Sequence, residues 1–149
     1  MTDFSESPAL PHRYPFLFTD RILSTPQEHA AGQLRALTGI TISGGMFRDG
    51  QPAVFPSVLL PEALAQAGGL LIARLNNAEH ESLYGVLAGI HRARFRGVAR
   101  PGDRLLLTVR LLRRRGSLVV LSGEALLDDD CLCRSTFSCA ILNSGDGRH

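Results

Sequence analysis

The chain contains no tryptophan and no lysine, and only two tyrosines, two methionines and three cysteines among its 149 residues. So few aromatic rings count against a nucleic-acid-binding surface, where bases stack on aromatics set among basic residues. All sixteen basic residues are arginine, alongside abundant Ala, Leu and Gly, which reads as compositional bias rather than selection for chemistry. The net charge of +2 is too small to call for a polyanion, although twelve of the sixteen arginines lie beyond residue 73. Cys131, Cys133 and Cys139 form an odd set with only a lone C-x-C spacing, so they read as strand residues and neither a metal centre nor a disulfide framework is expected. Pro61, Glu62 and Arg74 interrupt the longest apolar runs, so no membrane span is expected, and the polar N-terminus lacks a signal-peptide pattern. A cytoplasmic protein is the expectation.

What is present supports one folded domain over residues 1–149, with an N-terminal arm at 1–15 and a tail at 143–149. A hydrophobic content of 44% is enough for its core. Pro8, Pro11 and Pro15 keep the arm from forming a regular helix. The residues from Phe16 to Ser24 read as a first strand, and a Thr25-Pro26-Gln27 turn leads to its hairpin partner between Ala31 and Ile40. From Thr41 to Pro56 glycines and prolines leave no regular element. A long helix then runs to about Asn76, apolar round nearly its whole circumference and therefore buried on most sides. Pro61 inside it predicts a bend or a late start, and Ser57 is a candidate cap. Four strands follow, over residues 83–93, 103–112, 117–127 and 131–142, separated by turn signals at regular intervals and read as an antiparallel meander. The fold class is α+β, with one curled sheet around one helix.

Glu62 stands out because it is the lone acid near the start of that apolar helix. A carboxylate there is either an ion-paired structural group or an acid kept for chemistry. Its surroundings favour the second reading. The segments Leu10-Pro11-His12-Arg13-Tyr14-Pro15-Phe16, Phe55-Pro56-Ser57-Val58-Leu59-Leu60-Pro61-Glu62-Ala63-Leu64-Ala65-Gln66 and Ala88-Gly89-Ile90-His91-Arg92-Ala93-Arg94-Phe95-Arg96, followed by Pro101-Gly102-Asp103, closely resemble the bacterial 3-hydroxyacyl-acyl-carrier-protein dehydratases of the FabZ type. The likeness runs from Leu10 to Leu142. It implies the hotdog fold, a long central helix wrapped by an antiparallel sheet of about five to six strands, and a homodimer or heterodimer of hotdog subunits.

The resemblance also implies a reaction. In that family a tunnel at the dimer interface holds the thioester, and one histidine and one glutamate from opposite subunits carry the chemistry. A base takes the C2 proton while an acid helps the C3 hydroxyl leave as water, a role suited to a glutamate kept protonated by apolar walls. Glu62 matches the glutamate. Phe55, Pro56, Ser57 and Gln66 match substrate-binding positions around the helix start, where peptide N–H groups polarise the thioester carbonyl. Ser57 replaces the family's glycine. No cofactor and no metal is implied.

The histidine of the family's Gly-His-Phe-Pro-Gly segment has no counterpart. The matching stretch reads Gly45-Met46-Phe47-Arg48-Asp49-Gly50-Gln51-Pro52, and neither Phe47 nor Arg48 can accept a proton. His12 belongs to a motif that the family does not use as base. His91 reads as a surface or strand histidine, and His29, His80 and His149 read as solvated. Arg92, Arg94 and Arg96 alternate onto one strand face, a candidate docking rim for an acidic acyl carrier protein bearing a phosphopantetheine-linked acyl chain. Three readings follow: a dehydratase of fatty-acyl or polyketide thioesters with Glu62 as acid, a catalytically incomplete subunit that pairs with an active one or binds acyl chains, and an acyl thioesterase on the same fold with Glu62 or Asp49 orienting water.

Overall fold

The computed structural model describes residues 18–41, 53–76 and 83–143. The arm, the glycine-rich segment with Phe47, Arg48 and Asp49, His80 and the tail therefore lie outside the described residues. The element order is β1 (Arg21–Ile22), α1 (Pro26–Ala30), β2 (Gln33–Gly39), a 3-10 turn (Ser57–Leu59), α2 (Leu60–Leu75), β3 (Leu83–Phe95), β4 (Arg104–Arg115), β5 (Leu118–Leu127) and β6 (Asp130–Asn143). The six strands form one sheet in the order β1-β2-β4-β5-β6-β3, with every pairing antiparallel. The sheet curls around α2, which is the hotdog arrangement.

Helix α2 starts late. Proline is tolerated in the first turn, where its missing N–H would have had no helical partner, and Pro61 occupies that turn. The predicted serine cap is not formed, since no side chain caps either the 3-10 turn or α2. Every residue of α2 except Glu62, Arg74 and Leu75 is buried. By length and hydropathy the stretch Ser57–Leu75 passes as a membrane span, contrary to the expectation that no run is long enough, but 72% of its most apolar window is buried inside the domain, so it is the core helix.

Inward positions of the strands close on that helix: Leu34, Leu105, Leu107, Val109, Val119, Leu121 and Phe137 pack with Leu64, Leu70 and Leu71 of α2, all at 1% exposure or less. Each such side chain contributes about 1.5–3 kcal/mol by leaving water. Approach is closest at Gly123, where an added Cβ would stand 3.1 Å from the Leu64 methyl carbons.

Three expectations need correction. The first strand is only Arg21–Ile22 within the described residues. The Thr25-Pro26-Gln27 turn is the start of α1, closed by a capping box in which the Glu28 N–H donates to the Thr25 hydroxyl and Glu28 in turn accepts from the Thr25 N–H. The last four strands are not a simple meander, because β3 leaves β4 and pairs with the far side of β6. That crossing puts a 13-residue strand at the sheet edge.

His29 is buried at 8% exposure in α1, not solvated as its sequence position implied, and its Nε2 lies 2.9 Å from the Ser24 hydroxyl. Burial, and next the positive charge of Arg74, hold the imidazole below its ordinary value of 6.5, with Glu28 opposing them. The folded state thus disfavours the protonated ring while the unfolded chain accepts the proton near 6.5. This contribution to stability is present above pH 6.5 and declines as the pH falls below it. The expected result is a lower Tm at pH 5.5 than at 7.5, with a smaller difference in His29→Gln; equal differences in both proteins would remove His29 as the cause.

Candidate functional site

At the start of α2 the chain converges from three directions. Phe55 forms an isolated bridge to Ala99, its N–H donating to the Ala99 carbonyl at 2.8 Å. The Phe18 ring meets the Phe55 ring edge to face, with centroids 5.8 Å apart. Gln66 is 1% exposed, and its side-chain oxygen accepts the Phe18 N–H at 2.8 Å while its Nε2 donates to Glu62 Oε1 at 3.2 Å. Gln66 therefore ties the incoming chain to the acid and holds the carboxylate from one turn further along the helix.

Pro56 and Ser57 are half-buried, and Val58 is 74% exposed although apolar. The N–H groups of Leu59 and Leu60 are taken by the carbonyls of Pro56 and Ser57. The preceding donors, those of Ser57 and Val58, are the ones a helix start leaves without a helical acceptor.

Glu62 is half-buried, so it is neither sealed in the core nor on the open surface. Burial pushes the Cys139 thiol of β6 up to about 11, and the Glu62 charge adds to the rise. Cys139 pairs with Leu87 of β3, the last strand of the sheet.

The other predicted residues lie elsewhere. Arg92 pairs with Thr136 and Arg94 with Arg134, both on the sheet face turned away from α2. Arg96, also exposed, follows the end of β3 and donates its N–H to the Leu132 carbonyl. Arg94, Phe95, Arg96, Cys131 and Arg134 line an open pocket of about 390 Å³. Two of its arginines are direct cross-strand partners, a like-charge placement that costs stability without an anion nearby, although Arg134 is paired with Glu124 at 2.7 Å. The Arg113–Arg115 run lies at the opposite end of β4 from Arg104. Cys133 and Cys139 are buried in β6 and Cys131 is half-buried there. His91 is exposed, on β3.

A FabA-like domain model matches residues 10–136. The chain belongs to the FabA-like family. Among its relatives is the 3-hydroxyacyl-[acyl-carrier-protein] dehydratase FabZ of Shewanella woodyi, 42% identical over 135 residues that cover 88% of this chain and 86% of that protein. The enzyme of the same name from Oleidesulfovibrio alaskensis is 39% identical over 140 residues, covering 92% and 88%. Among solved structures, a chain of the dehydratase heterocomplex ApeI:P from Xenorhabdus doucetiae superposes with a TM-score of 0.74 at 19% identity, covering 92% of this chain and 90% of that one. The smu.793 protein of Streptococcus mutans, bound to acetyl CoA, gives 0.64 at 13% identity, covering 89% and 94%. At those identities the two structures speak for the fold.

Proposed function

We propose that this FabA-like chain dehydrates 3-hydroxyacyl thioesters carried on acyl carrier protein in the cytoplasm, with Glu62 as the acid and a second subunit completing the site. The observation that carries the reading is the placement of Glu62: in the first turn of α2, held by Gln66 and half-buried. In the reaction the C2–H bond breaks to a base, and the enolate charge collects on the thioester oxygen near the Ser57 and Val58 N–H groups. The C3–O bond then breaks as the leaving oxygen takes the Glu62 proton and departs as water. No histidine lies between His29 and His80 in the sequence, so the base does not come from the usual segment before α2.

The purified chain, given a 3-hydroxyacyl substrate on its carrier, is expected to yield the enoyl thioester; substrate left unchanged counts against standalone catalysis. A second reading is favoured by the missing histidine: the chain lends Glu62 to a different hotdog subunit, as in an assembly of the kind named for the Xenorhabdus dehydratase heterocomplex. Mixed subunits would then be active where each alone is not.

Arg92, Arg94 and Arg96 are read as the carrier's docking stripe. Reversing one charge should weaken encounter more than chemistry. Arg94→Glu is expected to raise KM for carrier-bound substrate by about tenfold at low salt, leaving kcat and the KM for a pantetheine thioester unchanged. An equal rise for both substrates would discard the docking role.

A further inference from the structure

Along β4, β5 and β6 every second residue turns toward α2, and Leu107, Val109, Leu121 and Phe137 are buried there. The residues of opposite parity, Thr108, Arg110, Ser122, Glu124, Arg134 and Thr136, face away from the helix. Strand register sets these six in two rows, Thr108 beside Glu124 beside Arg134, and Arg110 beside Ser122 beside Thr136. Together they line a recess of about 500 Å³ on the back of the sheet. On β3 the rows continue with Arg94 beside Arg134 and Arg92 beside Thr136. The recess is therefore one strand inward from the stripe read as the carrier's, and α2 with Glu62 lies on the other side of the sheet.

Its side chains suit an anion. Thr108, Ser122 and Thr136 are short and half-buried, whereas Arg110 and Arg134 are exposed and stand at opposite corners, two strand spacings or about 10 Å apart across the sheet. Among the described residues Arg110, Arg92 and Arg94 form no ion pair, and the three hydroxyls form no hydrogen bond. The one carboxylate, Glu124, accepts from Arg134 Nε at 2.7 Å. A guanidinium has five N–H donors and a carboxylate engages about two of them, so Arg134 keeps donors to spare. Four arginines gather round that single carboxylate, and Arg94 and Arg134 are direct cross-strand neighbours, a like-charge placement that costs stability. A dianion in the recess removes that cost.

We infer that this recess on the back of the sheet binds a phosphorylated small molecule, its phosphate held between Arg110 and Arg134 over the hydroxyls of Ser122 and Thr136. A phosphate monoester brings close to two negative charges and three acceptor oxygens, and guanidinium forks and hydroxyls match both. Small-molecule sites run from about 300 to 1,000 Å³, so the recess has room for an organic group beside the phosphate. Bound there, the ligand ties β4 to β6 and neutralises the arginines next to the edge strand β3. It does not reach α2, so it acts on the stability of the sheet and not on the chemistry at Glu62.

The experiment titrates the full-length protein with pyrophosphate by calorimetry at constant ionic strength, with sodium chloride alone as the control. Saturable binding is expected, and pyrophosphate at a hundredfold excess over its Kd should raise Tm by about 5–10 °C. Arg110→Gln should weaken binding at least ~10-fold, and Arg110→Lys by less, because lysine keeps the charge and loses the fork. Circular dichroism and kcat should stay at wild-type values in both, since Arg110 is exposed and across the sheet from Glu62. Arg115→Gln, at the far end of β4, should bind as the wild type does. No saturable binding above the chloride control, or the same loss in Arg115→Gln as in Arg110→Gln, would overturn the site. An Arg110→Gln protein that binds pyrophosphate normally but shows a raised KM for carrier-bound substrate would assign this face to the carrier and overturn it too.

Discussion

Glu62→Gln is expected to lower the rate of dehydration by about 10²–10⁴-fold while leaving the fold intact. Glutamine keeps the length of the side chain and an oxygen that can still accept from Gln66 Nε2, the 3.2 Å contact that orients the acid. It has no ionisable proton to give the leaving hydroxyl. The stability change should be small because Glu62 is half-buried and the hydrogen bond from Gln66 is kept, a difference of about 1 kcal/mol or less. Tm should therefore move by only a few degrees, roughly 2–4 °C. Activity within a few-fold of wild type would show that Glu62 is a structural carboxylate and would remove the main support for the dehydratase reading. A large loss of both activity and Tm would instead point to a failure of the Gln66 and Phe18 junction, distinguishable by circular dichroism.

Much of this arrangement is written locally. Alternating apolar residues in β4, β5 and β6 declare the strands, and the unbroken apolar surface of α2 declares a helix that must be wrapped. Glu62 is conspicuous because its neighbours in sequence are uncharged. Three features depend on contacts that no local pattern records. The pairing of β3 with β6 instead of β4 is a choice among strands of similar composition, and it decides which strand lies at the edge. His29 is buried where α1 packs against α2 and β2 and meets the Ser24 hydroxyl, contacts that its position in a short polar segment did not reveal. The strand expected to end at residue 112, ahead of the Arg115-Gly116-Ser117 turn, continues through Arg113–Arg115 by pairing with Val120, Val119 and Leu118. One signal was legible but overlooked: Thr25 followed three residues later by Glu28 is the capping-box pattern, and it marks α1.

The other large expected effect tests the core. Phe137→Ala should cost about 3–5 kcal/mol, the range for truncating a fully buried phenylalanine, and lower Tm by roughly 10–15 °C. Phe137 has 0% exposure and pairs with Leu121 on one side and Ile90 on the other, so its ring joins the central strands to the edge strand. It also limits α2. A Cβ at Gly68 would stand 3.4 Å from Phe137 Cε2 and 3.3 Å from Leu121 Cδ2. In the wild type, Gly68→Ala sets a helix-propensity gain of about 1 kcal/mol against this crowding. Once the Phe137 ring is gone, one of the two obstructions disappears and the added methyl enters the space left behind. Gly68→Ala should then recover part of the lost stability, with a coupling between the two substitutions of about 0.5–3 kcal/mol in a denaturant-unfolding cycle. Strictly additive effects would mean that β6 and α2 do not meet at this point, and that the sheet does not close on the helix beside its edge strand β3.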